Sequence, residues 1–102
     1  MATSYNQKAT VKCCCQYSVR LTLECNDCTI TFKNEYGNIT TQTNKSTGWS
    51  INYIANQYDY YYVYAESTDL NEIISINLYL GSELYHRITL NHIAILNGYL
   101  PD

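Results

Sequence analysis

The chain has 102 residues, 46% of them hydrophobic and only 15% charged, with a formal net charge of −3. That length is one domain with room for an ordinary core, and its surface must be carried by Asn, Thr, Ser, Gln and Tyr rather than by ions. The six basic residues, Lys8, Lys12, Arg20, Lys33, Lys45 and Arg87, are scattered and form no stripe able to neutralise phosphates, which argues against nucleic-acid binding; no stretch approaches the roughly 20 apolar residues of a membrane span.

Residues 1–12, MATSYNQKATVK, lack an apolar h-region and a small-residue cleavage site, so a chain made and kept in a cytosol is expected. This segment has few apolar side chains. It reads as an arm that includes Tyr5 and gains order by lying along another chain. A single domain is expected over 13–102.

From Tyr17 onward the pattern is the two-residue alternation of strands. YSVRLTLEC sets Tyr17, Val19, Leu21 and Leu23 on one face and Ser18, Arg20, Thr22 and Glu24 on the other. TITFK turns Ile30 and Phe32 inward. NEYGN reads as a tight turn centred on Tyr36, Gly37 and Asn38, since Gly and Asn accept positive φ. ITTQT follows as a strand, NKSTG as a polar loop, and WSINYI as a strand with Trp49, Ile51 and Tyr53 on one side. In YDYYYVYAES, Tyr61, Val63 and Ala65 face one way and Tyr60, Tyr62 and Tyr64 the other, so a core-facing first set leaves an exposed tyrosine ladder. IISINLYL and ELYHRITL flank a two-residue Gly81-Ser82 hairpin, with Ile74, Ile76, Leu78 and Leu80 inward. The tail NHIAILNGYLPD can add a last strand or pack on a neighbour. About seven or eight short strands, with turn signals every 8 to 12 residues or so, predict an all-β, immunoglobulin-like antiparallel β-sandwich.

All five cysteines fall within residues 13–28, and several readings of them are open. Cys25 and Cys28 have the spacing that puts two thiolates on one zinc. Cys13 and Cys15 can complete a tetrahedral set at about 2.3 Å, although CCC is not a second zinc knuckle. A redox pair needs a helix N-terminus, whereas CNDC sits between strands. A Cys25–Cys28 disulfide needs an oxidising compartment. The reading preferred here is that the cysteines are small hydrophobes packed in strands, with no metal and no cofactor.

His86 and His92 can share a face of an extended strand, but no carboxylate or serine pattern makes them part of a triad. They are read as surface or packing residues. Asp59, Glu66, Asp69, Glu72 and Glu83 are scattered over turns and strand ends as solvated charges, with no paired-carboxylate site. Asn38 and Asn44 match the glycosylation pattern, which carries no weight without a secretory route. No nucleophile, base and orienting group can be named together, so an enzyme is not expected. Twelve tyrosines exceed what one small core can take. Tyr offers rigid contact area with a polar tip and is enriched at interfaces, which marks Tyr60, Tyr62 and Tyr64, with Tyr5 in the arm, as partner-binding candidates.

From Tyr17 to about Leu90, the order of YSVRLTL, ITFKNEYGN, the Trp49-Ser50 pair, DYYYVYAES and SINLYLGSELYHR resembles the small β-sandwich domains of the MmpS-like family of envelope proteins. That resemblance implies the sandwich fold and an accessory role at the cell envelope, binding a transporter or lipid. Immunoglobulin-like sandwiches without export signals are also similar in kind to auxiliary (decoration) subunits of tailed-phage capsids, and a chain biased to Asn, Ile, Tyr and Lys suits an AT-rich phage genome. The expected function is therefore a structural, protein-binding subunit docking on a large assembly, such as a major capsid protein in a virion assembled in the host cytoplasm. The alternatives are the envelope accessory domain and a small zinc or thiol protein using the four cysteines named above.

Overall fold

A computed structural model describes residues 16–34 and 36–101. It contains eight strands and, among the described residues, no helix: β1 (Gln16–Glu24), β2 (Cys28–Lys33), β3 (Ile39–Lys45), β4 (Ser50–Asn56), β5 (Tyr60–Glu66), β6 (Ile73–Leu80), β7 (Glu83–Asn91) and β8 (Ile93–Tyr99). They form two four-stranded sheets, in the orders β4-β1-β6-β7 and β3-β2-β5-β8. All pairings are antiparallel. Only β2–β3 and β6–β7 are hairpins within a sheet; every other connection crosses between sheets, and this ties the two layers of the sandwich together.

The core lies between the sheets and is built from alternate residues, because strand side chains point to opposite faces in turn. Val19, Leu21 and Leu23 from β1 meet Ile74, Ile76 and Leu78 from β6 within one sheet; Ile30, Phe32, Val63, Ala65, Ala94 and Leu96 come from the other. The inward faces expected for β1, β2, β5 and β6 are those observed. Leu80 is only partly buried, packed against the core rather than in it. Trp49 closes one end, its ring edge-on to Phe32 at 5.4 Å and its indole N–H donating to Gln42 Oε1 at 3.0 Å.

Local irregularities follow sequence chemistry. The β6–β7 loop is Gly81-Ser82, between paired Leu80 and Glu83, with Gly81 at φ 63°; a glycine of positive φ in the first loop position is what a tight two-residue hairpin needs. In the β2–β3 turn, Gly37 takes the positive φ (81°), whereas Asn38 does not. The turn is held instead by Asn34, whose Oδ1 accepts from the backbone N–H groups of Tyr36 and Asn38 at 2.9 and 3.1 Å. The segment expected as a polar loop from Asn44 begins later. β3 runs through Lys45, with a bulge where its register against β2 slips between Cys28 and Ile30, and Asn44 at φ 57° supplies the left-handed residue, a conformation its short polar side chain tolerates. The tail does add a strand, β8, paired with β5 along its length.

Candidate docking face

The register of β3-β2-β5-β8 sets one row of side chains outward across the sheet. Lys33 opposes Ile39 and Thr31 opposes Thr41; Thr31 opposes Tyr64 and Thr29 opposes Glu66; Tyr60, Tyr62, Tyr64 and Glu66 oppose Tyr99, Asn97, Ile95 and Ile93. Tyr60, Tyr62 and Tyr64 thus share one outer face, while Tyr61, Val63 and Ala65 are buried behind them. β8 extends the ladder with Tyr99 and Ile95, 68% and 42% exposed, and β3 adds Ile39 at 60%.

The rings are not loose. Tyr60 and Tyr99 meet at 5.3 Å between centroids. Asn97 Nδ2 donates to Tyr60 Oη at 3.1 Å, and the Lys33 ammonium donates to the Tyr60 carbonyl at 2.9 Å while lying 5.9 Å from the ring centroid. Tyr64 Oη donates to Glu66 at 3.0 Å; this hydrogen bond, ahead of any desolvation, raises the Tyr64 pKa and keeps the phenol a donor. Thr31 and Thr41 hydroxyls bond across the strands at 3.1 Å. Cross-strand pairs of this kind restrict the rotamers of the rings. The only charged side chains in the paired rows of this face are Lys33 and Glu66, of opposite sign.

The outer face of the other sheet differs in chemistry. Arg87 approaches Glu24 at 3.8 Å, Asn77 Nδ2 donates to Thr22 and Glu24 at 3.1 and 3.0 Å, Ser75 and Thr89 hydroxyls meet at 2.8 Å, and Arg20 covers the Tyr79 ring at 4.4 Å. Ions and amides interrupt the apolar side chains there. Depletion of charge at the centre of a patch with aromatic enrichment is the interface signature, and it belongs to the tyrosine face.

Cys25 and Cys28 flank the corner where the chain crosses from β1 to β2. They are 5% and 2% exposed and both are free thiols. Thr47 fixes the corner, its hydroxyl donating to the Cys25 carbonyl and accepting from the Cys25 N–H, both at 3.1 Å; the Cys25 thiol donates to the Lys45 carbonyl at 3.5 Å. Burial pushes both thiol pKa values up, the opposite of the depression that activates a thiol. Among the described residues no group of three or more His, Cys, Asp or Glu is arranged to hold a metal. Cys13, Cys15, Tyr5 and the arm over 1–12 lie outside the described residues. In the native protein, iodoacetamide at pH 7.5 is expected to leave Cys25 and Cys28 unmodified and to alkylate both once the chain is unfolded in urea, read by peptide mass mapping. Rapid labelling in the native state would contradict their role as packing residues.

The histidines do not share a strand face. His86 lies in β7, and its Nδ1 meets Tyr61 Oη at 2.6 Å, linking the two sheets at the edge of the sandwich. His92 is the single residue between β7 and β8, at φ 69°. Its Nδ1 must carry a proton, because it lies 2.7 Å from the Ser67 carbonyl, which can only accept. Both are packing histidines. Tyr99 and Ile95 were the part of the face that strand reading left open. Their signal was the tail's own alternation, with Ala94 and Leu96 as the inward set and Ile95, Asn97 and Tyr99 as the outward one.

No helix among the described residues is long and apolar enough to cross a membrane. No protein-family model matches this chain, and no curated protein and no solved structure matches it either.

Proposed function

We propose that the chain is a non-enzymatic protein-binding module that docks through its tyrosine face as an auxiliary subunit of a large assembly, with a phage coat protein as the partner. The observation that carries this reading is the shared outward direction of Tyr60, Tyr62, Tyr64 and Tyr99 on a sheet face whose paired rows hold one cation and one anion. Rigid aromatic rings give contact area at low entropic cost, and so few charges make the contact insensitive to salt.

Size sets a second condition. Four strands about 4.8 Å apart, with five or six residues each at about 3.3 Å, present roughly 300 Å² in projection. A stable interface takes about 800 Å² from each partner, so the sheet face needs a second contribution. We propose that the segment before Val11, which carries Tyr5, supplies that contribution.

Substituting Tyr60, Tyr62 and Tyr64 together by Ser tests the reading, because all three point away from the core and the fold should survive. The native protein from its source is expected to elute in light scattering as part of a large particle. The triple variant, expressed in the same source, is expected to remain a folded monomer by circular dichroism and mass. A wild-type protein that is itself monomeric in its source, or a triple variant incorporated at the wild-type level, would remove the basis for docking through this face.

A further inference from the structure

The end of the sandwich bearing the β2–β3 turn holds a pocket of about 230 Å³, lined by residues including Lys33, Asn34, Tyr36, Tyr53, Asp59 and Tyr60. Its polar groups are partly spent on the fold, and what remains is informative. Asp59 Oδ2 accepts from the Asn56 N–H at 2.9 Å, which leaves its other oxygen as an acceptor. The Lys33 ammonium uses one of its three N–H groups on the Tyr60 carbonyl, leaving two donors. Asn34 Oδ1 is filled by the two N–H groups of the turn, and Nδ2 gives one of its two N–H groups to Thr40, so Asn34 mainly shapes the rim. Burial, helped by the neighbouring Asp59, raises the Tyr53 phenol to about 12, so at neutral pH it is a hydroxyl able both to donate and to accept.

Charge and size limit the occupant. One cation and one anion cancel, which favours neither a phosphate nor an ammonium. The volume lies below the roughly 300 Å³ at which drug-sized sites begin, so one small ring fills it. Tyr36 and Tyr60 line the pocket, and aromatic lining suits the C–H face of a saturated ring. A carboxylate, Asp59, and an ammonium, Lys33, both line the pocket, a pair of groups that suits hydroxyls, one donating and another accepting. We infer that this pocket binds a single neutral pyranose unit, with Asp59 and Lys33 reading hydroxyls and Tyr36 and Tyr60 contacting the ring. The inference does not depend on docking through the tyrosine face, although Lys33 and Tyr60 border both.

The test is an NMR titration of the ¹⁵N-labelled full chain with methyl β-glucopyranoside, methyl β-galactopyranoside and methyl α-mannopyranoside in turn. The expected result is saturable, millimolar binding of at least one glycoside, with shifts confined to the backbone around Lys33–Gly37, Tyr53–Ala55 and Asp59–Tyr61. Asp59→Asn is expected to weaken it roughly tenfold or more, since a charged hydrogen-bond acceptor is lost. Tyr36→Ala, at an exposed turn position, gives the same direction of change without touching the Asp59 turn. Shifts that stay linear for all three glycosides, shifts centred on Tyr62 and Asn97, or wild-type affinity in both variants would each overturn the inference.

Discussion

Replacing Gly98 by Ala is expected to destabilise the domain by about 1–3 kcal/mol, the usual cost of overpacking a filled core, and replacing it by Val by more. A Cβ at position 98 would stand 2.7 Å from Tyr61 Oη and 3.0 Å from Tyr61 Cζ. A flexible side chain would swing away from such a contact, but Tyr61 has nowhere to go. It is 4% exposed, its hydroxyl is bonded to His86, and its ring is edge-on to Tyr85 and to His86 at 6.4 and 5.8 Å. Folded domains hold only about 5–15 kcal/mol in reserve, so the loss is large. Tyr61→Phe alone should cost about 1 kcal/mol, through the lost hydrogen bond to His86. In the double variant the 2.7 Å contact is gone and the 3.0 Å contact remains, so the two costs should sum to more than the double variant shows. Urea denaturation of the four proteins gives this cycle directly. A Gly98→Ala variant as stable as wild type would mean that the close approach does not constrain the edge where β7 meets β8.

The same edge shows what a sequence can and cannot announce. Period-two alternation carried the inward sets of β1, β2, β5 and β6, because a strand between a core and solvent writes its two faces into alternate positions. It placed Tyr61 inward and Tyr60, Tyr62 and Tyr64 outward without knowing any neighbour. It could not say that β8 lies beside β5, which is what brings Tyr99 onto Tyr60 and completes the candidate face. Strand order is a long-range property, and the tail has no turn chemistry tying it to β5. Nor could it find the extra residue in β7. The register against β6 slips between Leu78 and Tyr79, whose partners are His86 and Leu84, so Tyr85 is the bulged residue, next to the His86 that bonds Tyr61. A bulge leaves no mark in composition unless a glycine occupies it. Two histidines six positions apart can share a face of one extended strand, whereas one joins the sheets and the other turns the chain between β7 and β8. The candidate face was legible in its central strand and silent in its flanks. The pocket, assembled from β2, a turn, β4 and β5, was not legible at all.

Stability should fall steeply in alkali, and more so than for a domain whose thiols and phenols are exposed. Four acids that are neutral at pH 7 have folded-state pKa values raised above their unfolded ones. Burial is the first cause in each case: Cys25, Cys28, Tyr61 and Tyr53, the last to about 12. A group with a raised folded pKa gives its full contribution below the unfolded pKa and loses it as pH climbs through the folded one. In the unfolded chain thiols ionise near about 8.5 and phenols near about 10. Above each of these values the unfolded state releases protons that the folded state still holds, and each such group costs up to about 1.4 kcal/mol per pH unit. The two thiols therefore start the decline above about pH 8.5, and the two tyrosines steepen it above about pH 10. Set against a reserve of about 5–15 kcal/mol, that slope removes a large share of the stability between about pH 8.5 and 11. Urea midpoints measured under reductant from pH 7 to 11 should show both limbs. A Cys25→Ala, Cys28→Ala variant should flatten the lower limb, and Tyr53→Phe should flatten part of the upper one. A midpoint that holds constant to pH 11 would mean that these four side chains reach solvent freely, and the packing of the Cys25–Cys28 corner and of Tyr61 beneath the tyrosine face would have to be redrawn.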